Sequence, residues 1–336
     1  MRVRFLVALT VIALIDSIPA HSNAVTVDAA LSSIACVPHG PQSLCFAVGR
    51  DTAFQHGVIV KIVDGLQSAP ITVSDALLSG VTCMSSGVCA AVGTKIDFVS
   101  PIVVFFNADG VPTQTIDLTG TGAFGPLACP TSNLCLVFGS RPNDPGLRQP
   151  TLTVVKRNQS LANTADIASP GFFVQDMSCA SAGRCIAAGV GFDIVLSGPQ
   201  WTASVKTAPF LFDGVDCPLP SQCFAATRIF QNGFPFGAIA PIDADGNAGG
   251  AVPMAQFGTT FFGIACVSKH LCVAVGENER TTRGSIVRVV DGVPGTPTDV
   301  DGVNFFSVVA CDTKSGSCTA IGRSLTGETA MYSFAA

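Results

Sequence analysis

The fourteen cysteines of this 336-residue chain fall into seven pairs that are close in sequence, and each pair lies in the same short motif. The shared pattern is roughly Cys, five residues, Cys, any residue, Ala, any residue, Gly, and individual copies depart from it at single positions or in the loop length. The first cysteines of successive copies lie 38 to 50 residues apart, a spacing typical of solenoids, propellers and other repeat arrays. The pairs are Cys36 with Cys45, Cys83 with Cys89, Cys129 with Cys135, Cys179 with Cys185, Cys217 with Cys223, Cys266 with Cys272, and Cys311 with Cys318. The chain is therefore a sevenfold repeat.

Residues 1–24 predict a cleavable secretory signal peptide. Arg2 and Arg4 precede a mostly apolar run that ends at Ile15, and small residues follow at 22–24, as signal cleavage requires. The run is too short for a membrane-spanning helix, which needs about 20 residues, and no later stretch is long and apolar enough. We expect residues 25–336 to form one mature domain that is secreted or periplasmic and has no membrane span.

The paired cysteines behind a signal peptide predict seven disulfides formed in an oxidising compartment. Zinc binding is the alternative, but zinc frameworks prefer closer cysteine spacings with histidine partners, and the whole chain has only 4 histidines. The mature chain carries 16 basic and 22 acidic residues. Because phosphate binding needs a basic surface, this balance argues against a nucleic-acid partner.

Each repeat reads as four short strands. In the repeat from Leu78 to Thr119, two strands flank the cysteine loop and two more flank a turn at Asn107–Gly110. Asp-Gly between apolar runs is a strong hairpin signal, because a tight turn needs positive φ. Seven such units predict an all-β, seven-bladed β-propeller with four strands and one disulfide per blade.

The two ends of the chain favour a closed ring over an open solenoid. The last repeat ends after its third strand, whereas the segment from Val25 resembles the segment from Ile71, a fourth strand that leads into the next repeat. Pairing the N-terminal strand into the last blade would complete that blade and remove an exposed sheet edge. We therefore expect the first strand of each blade to line a central channel, with the small residues one and three positions before its first cysteine facing the axis.

The repeat also resembles a known group of proteins. CMSSGVCAAVG and CVSKHLCVAVG are similar to the motif of secreted bacterial propeller proteins, mostly uncharacterised, whose shape is related to sialidase-type propellers. The resemblance covers the whole mature chain and implies a fold and a compartment, but no reaction. The sialidase Asp-box is absent, and Trp201 is the sole tryptophan.

Basic residues are frequent in the loops between second and third strands. Arg50, Arg228 and Arg323 each lie just after the motif glycine or its equivalent, so they predict a site for a carboxylate or phosphate above the channel. The alternative is ordinary charge solvated in loops. The other basic residues of these loops are Lys95, Arg141, Arg148, Arg280 and Arg283.

Two acidic residues occupy the register that faces the channel. Asp176 and Asp216 lie in successive repeats, and paired carboxylates can hold calcium or serve acid–base catalysis. The alternative is that water solvates them in the channel. We assign no metal site, and the sequence leaves open whether these two acids bind a metal.

The sequence favours a binding module over an enzyme. No Gly-x-Ser-x-Gly motif occurs, and the histidines form no catalytic set with a nucleophile. We predict a monomeric module without a cofactor that binds a protein, a peptide or a cell-envelope component through its loop face, the side of the ring where second-to-third-strand loops and inter-blade connections meet. The alternative functions are a propeller hydrolase or lyase acting on an anionic sugar or related small molecule, which would use the loop arginines with Asp176 and Asp216, and a purely structural domain.

Overall fold

The computed structural model describes residues 24–37, 42–118, 124–142, 148–167, 173–198, 200–231, 234–255 and 258–336. These residues form β-strands and connecting turns, with one short 3₁₀ helix at Arg157–Gln159, so the all-β prediction is confirmed. The predicted signal peptide lies outside the described residues except for Ala24. No helix in the described part of the chain is long and apolar enough to cross a bilayer.

Twenty-eight strands follow one another along the described residues. The N-terminal segment and repeats one and two supply β1 (Val25–Val27), β2 (Ala30–Val37), β3 (Leu44–Arg50), β4 (Gly57–Val63), β5 (Leu66–Gln67), β6 (Ile71–Val73), β7 (Ala76–Cys83), β8 (Cys89–Lys95), β9 (Pro101–Phe106) and β10 (Pro112–Asp117). Repeats three to five supply β11 (Phe124–Thr131), β12 (Leu134–Pro142), β13 (Arg148–Lys156), β14 (Leu161–Asp166), β15 (Val174–Ser181), β16 (Arg184–Ser197), β17 (Thr202–Leu219), β18 (Gln222–Gln231), β19 (Phe234–Asp243) and β20 (Val252–Pro253). Repeats six and seven supply β21 (Thr259–Cys266), β22 (Leu271–Asn278), β23 (Arg283–Val290), β24 (Val293–Pro294), β25 (Thr298–Val300), β26 (Val303–Cys311), β27 (Ser317–Ser324) and β28 (Thr329–Ala335).

The first strand of each repeat forms the inner wall of a closed ring. These inner strands are β2, β7, β11, β15, the C-terminal half of β17, β21 and β26. Each contacts the next in chain order, and β26 contacts β2. The remaining strands of each repeat pair outward from the inner strand in antiparallel order, which is the arrangement of a β-propeller. Third strands such as β9 are buried along their whole length, because neighbouring blades cover both faces, and this is why they read as unbroken apolar runs.

The prediction of seven blades is wrong, because the described residues form six sheets. Repeats four and five share one sheet of six strands, β15 to β20, which we call the fused sector (residues 174–253). β16 continues from a second into a third strand, and β17 continues from a fourth strand into the inner strand of repeat five. These two repeats also have the shortest spacing between first cysteines, 38 residues. The short spacing leaves few residues for loops between the strands, so β16 and β17 each continue through two strand positions and the two repeats share one sheet.

The N-terminal strand closes the last blade, as predicted. β1 pairs antiparallel with β28, placing Val25 opposite Met331 and Val27 opposite Thr329. The Thr329 hydroxyl donates a hydrogen bond to the Ala29 carbonyl at 2.6 Å and accepts one from the Leu31 N–H at 3.3 Å. The N-terminal strand and the last strand therefore pair within one sheet, which closes the ring and covers a sheet edge.

All seven predicted disulfides are present. In every pair the two Cα atoms lie 3.8 to 4.1 Å apart, and each bond joins the first and second strands of a repeat. Closing so short a loop stabilises the fold by about 2 kcal/mol in the chain-entropy model. Each repeat thus carries its own crosslink beside the ring axis.

The two cysteines of a pair differ in their surroundings. Most of the first cysteines line the ring axis, whereas the second cysteine of every pair lies on a second strand and is at most 1% exposed. These buried partners are Cys45, Cys89, Cys135, Cys185, Cys223, Cys272 and Cys318. Neighbouring blades cover the second strands on both faces, so in the described structure the disulfides lie at the edge of the core with their second cysteine buried. Their arrangement supports a structural role and offers no exposed thiol for binding or catalysis, since the described cysteines are all bonded.

Candidate functional site

The inner strands enclose a central cavity with a volume of about 940 Å³. In most repeats the residues one and three positions before the first cysteine line it, and so does the apolar residue between them. In β2 and β7 the small residues are half-buried and the apolar residue between them is buried, as the alternation predicts for these two strands. Apart from the disulfide cysteines, the titratable side chains among the described lining residues are all aspartates of the fused sector, namely Asp176, Asp213 and Asp216. The cavity is therefore acidic on one side only.

A β-bulge in each inner strand directs an extra residue to the mouth of the cavity. In most repeats one residue interrupts the register with the second strand, as Ser32 does between Leu31 and Ser33. Bulges commonly redirect a side chain in this way. The residues four positions before the first cysteine all line the cavity: Ser32, Ser79, Gly125, Gln175, Asp213, Phe262 and Ser307. Our sequence reasoning missed this position because regular alternation leaves no place for an extra residue.

The bulge also explains the glycine that ends the cysteine motif. A Cβ atom on Gly93 would lie 2.0 Å from the Leu77 carbonyl oxygen, which the bulge pushes toward the second strand. Repeat five has Thr227 at this position, and its hydroxyl donates to the Leu211 carbonyl at 2.9 Å. The motif glycine therefore permits a close approach of two backbones.

Asp176 connects two inner strands. One carboxylate oxygen accepts the N–H of Val215 on the next inner strand at 2.8 Å, and the other accepts the N–H of Met177 at 2.8 Å. Burial raises the pKa of Asp176 to about 6; these N–H donors lower it and the nearby Asp216 carboxylate raises it further. The carboxyl group thus combines a raised pKa with the role of acceptor for two backbone N–H groups.

Asp216 extends the same connection to the following inner strand. Its Oδ1 accepts from the Ser178 hydroxyl at 2.9 Å and from the Cys217 N–H at 2.8 Å, while its Oδ2 accepts from the Cys266 N–H at 2.6 Å. Burial raises its pKa, although these donors oppose the shift. Asp176 and Asp216 both line the cavity, in the register predicted for them. All four of their carboxyl oxygens accept hydrogen bonds within the protein, and a ligand-binding role for them stays a prediction.

Arg228 forms a bidentate ion pair with Asp213 at the mouth of the cavity. Its Nε and Nη2 atoms each lie 2.8 Å from a carboxylate oxygen of Asp213. The Asp213 side chain is 13% exposed and that of Arg228 is 35% exposed. Burial raises the pKa of Asp213, and Arg228 only partly opposes the shift. This fork-to-fork geometry occupies the guanidinium face that would otherwise bind a carboxylate ligand.

The other two predicted arginines have separate local contacts. The Arg50 guanidinium lies over the Phe54 ring, 4.0 Å from its centroid, and Arg323 donates to the Gly327 carbonyl at 2.8 Å. Arg50, Arg228 and Arg323 belong to three different sheets. The described contacts do not join these three side chains into one cluster, and their anion-binding role stays a prediction.

The remaining basic loop residues also lie beside acids or backbone. Lys95 pairs with Asp117 at 3.0 Å and Arg283 with Asp301 at 2.6 Å. Arg280 packs near Gly258. The side chains of Arg141 and Arg148 lie outside the described part of the structure. Within the described ranges, no group of three or more His, Cys, Asp or Glu side chains could hold a metal ion.

Asp193 is a buried acid that our sequence reasoning did not single out. It lies in β16 of the fused sector, and neither of its carboxyl oxygens has a hydrogen-bond partner on another residue in the described structure. Burial raises its pKa to about 7, while its own backbone N–H and Lys206 lower the pKa and Asp243 raises it further. The sequence signal for this site was an acidic residue within an otherwise apolar strand. The sequence does not show on which face of the strand Asp193 lies, because that depends on the bend in β16.

The loop face carries exposed aromatic side chains. We use this name for the side of the ring where second-to-third-strand loops and inter-blade connections meet. The phenylalanines with large exposure among the described residues all lie there: Phe54 at 49%, Phe98 at 63%, Phe173 at 61% and Phe230 at 62%. Large apolar residues exposed on the Asp-Gly turns of the opposite face are aliphatic: Leu66, Val111, Val290 and Val293. Phenylalanines inside polar loops were the sequence signal for this surface.

Comparisons with known proteins identify a fold and no family. No protein-family profile and no curated protein matches the chain. It is similar to a solved structure described as U3-55K, at TM-score 0.65 and 10% identity, over 91% of this chain and 96% of that chain. It is also similar to RRP9 WD40 repeats, at TM-score 0.68 and 10% identity, over 95% and 99%, and to Kuenenia stuttgartiensis hydrazine synthase, at TM-score 0.67 and 10% identity, over 93% and 97%. Identities this low support the propeller fold alone.

Proposed function

We propose that this protein is an exported interaction module, which binds a protein, a peptide or a cell-envelope component through its loop face. The observation that carries the proposal is the restriction of the strongly exposed phenylalanines to that face. Aromatic side chains left in water are costly unless a partner covers them, and aromatic anchors dominate many binding interfaces. The propeller supplies a rigid, crosslinked base for these anchors.

Export is part of the same proposal. Seven disulfides are expected in an oxidising compartment, and the N-terminal sequence predicts a cleaved signal peptide. The WD40 repeats among the structural neighbours offer only an analogy of fold, since a fold by itself assigns no function. We expect the mature chain to begin at Val25, which N-terminal sequencing of the exported protein would test.

A capture experiment with two matched variants tests the loop-face proposal. The first variant replaces the exposed loop-face phenylalanines by serine at positions 54, 98, 173 and 230, and the second replaces the four aliphatic residues of the opposite face by serine at positions 66, 111, 290 and 293. Immobilised wild-type protein and the second variant should retain the same component of an envelope extract, whereas the first variant should lose it. Equal retention by all three proteins, each shown to be folded, would refute the proposal.

A further inference from the structure

Two equivalent loops on neighbouring blades hold a phenylalanine in the left-handed backbone region. Phe54 follows β3 in repeat one and has φ of 59°, and Phe98 follows β8 in repeat two and has φ of 58°. Bulky residues rarely adopt this conformation, and such strain often marks functional sites. Glycine would adopt it without a steric penalty. Both loops therefore keep an aromatic side chain where the backbone alone would favour glycine.

Aspartate caps hold both loops in shape. Asp51 accepts the N–H groups of Gln55 and His56 at 2.8 and 3.3 Å. Asp97 accepts the N–H groups of Val99 and Ser100 at 2.9 and 2.8 Å. The rings are thus presented by preorganised turns, which lowers the entropy lost when a partner binds.

The same hydrogen bonds keep both acids ionised. Partial burial raises the pKa of Asp51, but the N–H donors outweigh it and bring the pKa below its ordinary value. The Ser100 hydroxyl, followed by the two backbone donors, lowers the pKa of Asp97. Each phenylalanine therefore lies beside a carboxylate that remains charged at neutral and mildly acidic pH.

The two loops lie on either side of one inter-blade connection. The first loop ends at Gly57, where a Cβ atom would lie 2.9 Å from the Ala76 carbonyl. Ala76 in turn pairs with Lys95, where the second loop begins. Asp75, which precedes Ala76, therefore lies between the two loops. Exposed apolar side chains cover this region: Phe54, Ile96, Phe98 and Val99.

Charge around these apolar side chains is predominantly negative. Arg50 stacks on Phe54, and Lys95 is paired with Asp117. The loops and connections at this end of the first two repeats also contain Asp28, Asp51, Asp75 and Asp97. None of these four acids is in a described salt bridge, although His56 lies near Asp51 and Lys95 near Asp97. An apolar centre with an acidic rim is complementary to an apolar anchor with basic flanks.

We infer that the Phe54/Phe98 surface, formed by residues 50–56, 75 and 95–100, binds a polypeptide segment in which a large apolar side chain is flanked by lysine or arginine. The apolar anchor would pack on the two phenylalanine rings, and the basic flanks would approach the aspartates of the rim. This inference rests on the proposed function and adds the location and the class of partner.

Fluorescence anisotropy with short labelled peptides tests the inference on the exported protein. The probe peptide carries one tryptophan between lysines, and two control peptides replace the lysines by glutamate or the tryptophan by serine. Wild-type protein should bind the probe at least about tenfold more tightly than either control, because anchors and charge complementarity both contribute. Added salt should weaken binding of the probe.

Glycine variants separate binding from folding. Phe54→Gly with Phe98→Gly should weaken probe binding about tenfold or more, without lowering the thermal unfolding midpoint, since glycine relieves positive φ. Asp75→Asn should weaken binding less and reduce its salt dependence. Leu66→Ser with Val293→Ser, on the opposite face, should leave probe binding unchanged.

Several results would overturn the inference. It fails if the probe does not bind at millimolar concentration, if the glutamate peptide binds equally well, or if the glycine variants bind the probe as wild type does. It also fails if phosphatidylcholine vesicles, and not the probe, bind through the two phenylalanines. If the envelope component retained in the capture experiment is still retained by the glycine variants, the proposed function stands while this inference fails.

Discussion

In repeats one and two, as in repeats four and five, a side chain of one inner strand accepts a hydrogen bond from the equivalent backbone N–H of the next inner strand. The accepting side chain differs between the two pairs of repeats. In the first pair, the Ser33 hydroxyl accepts the Val81 N–H at 3.2 Å. In the fused sector, a carboxylate oxygen of Asp176 accepts the N–H of Val215 at 2.8 Å. Both acceptors lie three positions before the first cysteine, and both N–H groups lie two positions before the next one. Either a hydroxyl or a carboxylate can therefore supply the acceptor at this position. The other repeats have residues without a side-chain acceptor there: Gly80, Pro126, Gly214, Gly263 and Val308.

A second acceptor position distinguishes the two regions more clearly. In the fused sector Ser178 accepts the Cys217 N–H at 3.1 Å, and Asp216 accepts the Cys266 N–H at 2.6 Å. Repeat one has Ala35 at this position, which offers no side-chain acceptor. Carboxylates make stronger bonds to N–H groups than hydroxyls do, but they lose hydration when buried. The acidic side of the cavity thus shares a structural role with the serine side and differs from it in its response to pH.

The largest effect should come from the unpartnered acid of the fused sector. The pKa of Asp193 rises from 3.8 to about 7 on folding, so its contribution to stability is fully present below pH 3.8 and is lost as the pH rises through 7. Asp193→Asn should raise the free energy of unfolding at pH 8 by as much as about 4 kcal/mol, at about 1.4 kcal/mol per pKa unit. Urea unfolding at pH 5 and pH 8 measures the change. Asp28→Asn, an exposed control, should have no such effect, and an unchanged pH dependence in the first variant would contradict the prediction.

Exchanging the motif glycine between the two regions should have the next largest effect. Gly93→Thr in repeat two forces a Cβ atom against the Leu77 carbonyl, and we expect it to lower the free energy of unfolding by about 3 kcal/mol or more. Thr227→Gly in the fused sector loses one hydrogen bond to Leu211 and should cost only about 1–2 kcal/mol. Denaturant midpoints of both variants test this order. Similar midpoints would show that the bulge is not what requires glycine in repeat two.

The repeated features of this fold could be predicted from sequence, and the local departures could not. The disulfide pairs and the closing strand leave a signal in each repeat or at both ends of the chain. The fusion of repeats four and five depends on whether a strand bends or breaks, and β16 bends at Gly191, which has positive φ. The pairing of Asp213 with Arg228 depends on a bulge that shifts Asp213 out of simple alternation. Asp176 and Asp216 could be placed on the channel, but their backbone partners lie on other repeats and follow from the ring.

Making the fused sector resemble repeat one should remove part of its pH dependence. The pKa of Asp176 rises from 3.8 to about 6, so its contribution to stability is fully present below pH 3.8 and is lost as the pH rises through 6. Asp176→Ser removes this penalty of about 3 kcal/mol and loses about 1 kcal/mol of hydrogen bonding, so we expect a net gain of about 2 kcal/mol at pH 8. Below pH 4 the variant should be less stable than wild type. Unfolding curves across this pH range would contradict the prediction if the two proteins changed in parallel.

The smallest effect should come from removing the hydroxyl acceptor of the regular region. Ser33→Ala leaves the Val81 N–H without its side-chain acceptor, and we expect a loss of about 1 kcal/mol. Because a hydroxyl does not titrate, this loss should be the same at pH 5 and pH 8. Ser33→Asp should restore the acceptor and introduce a pH dependence of the kind expected for Asp176. If Ser33→Asp remains insensitive to pH, the response of the fused sector arises from the wider surroundings of its acids, and the acceptor position alone does not explain it.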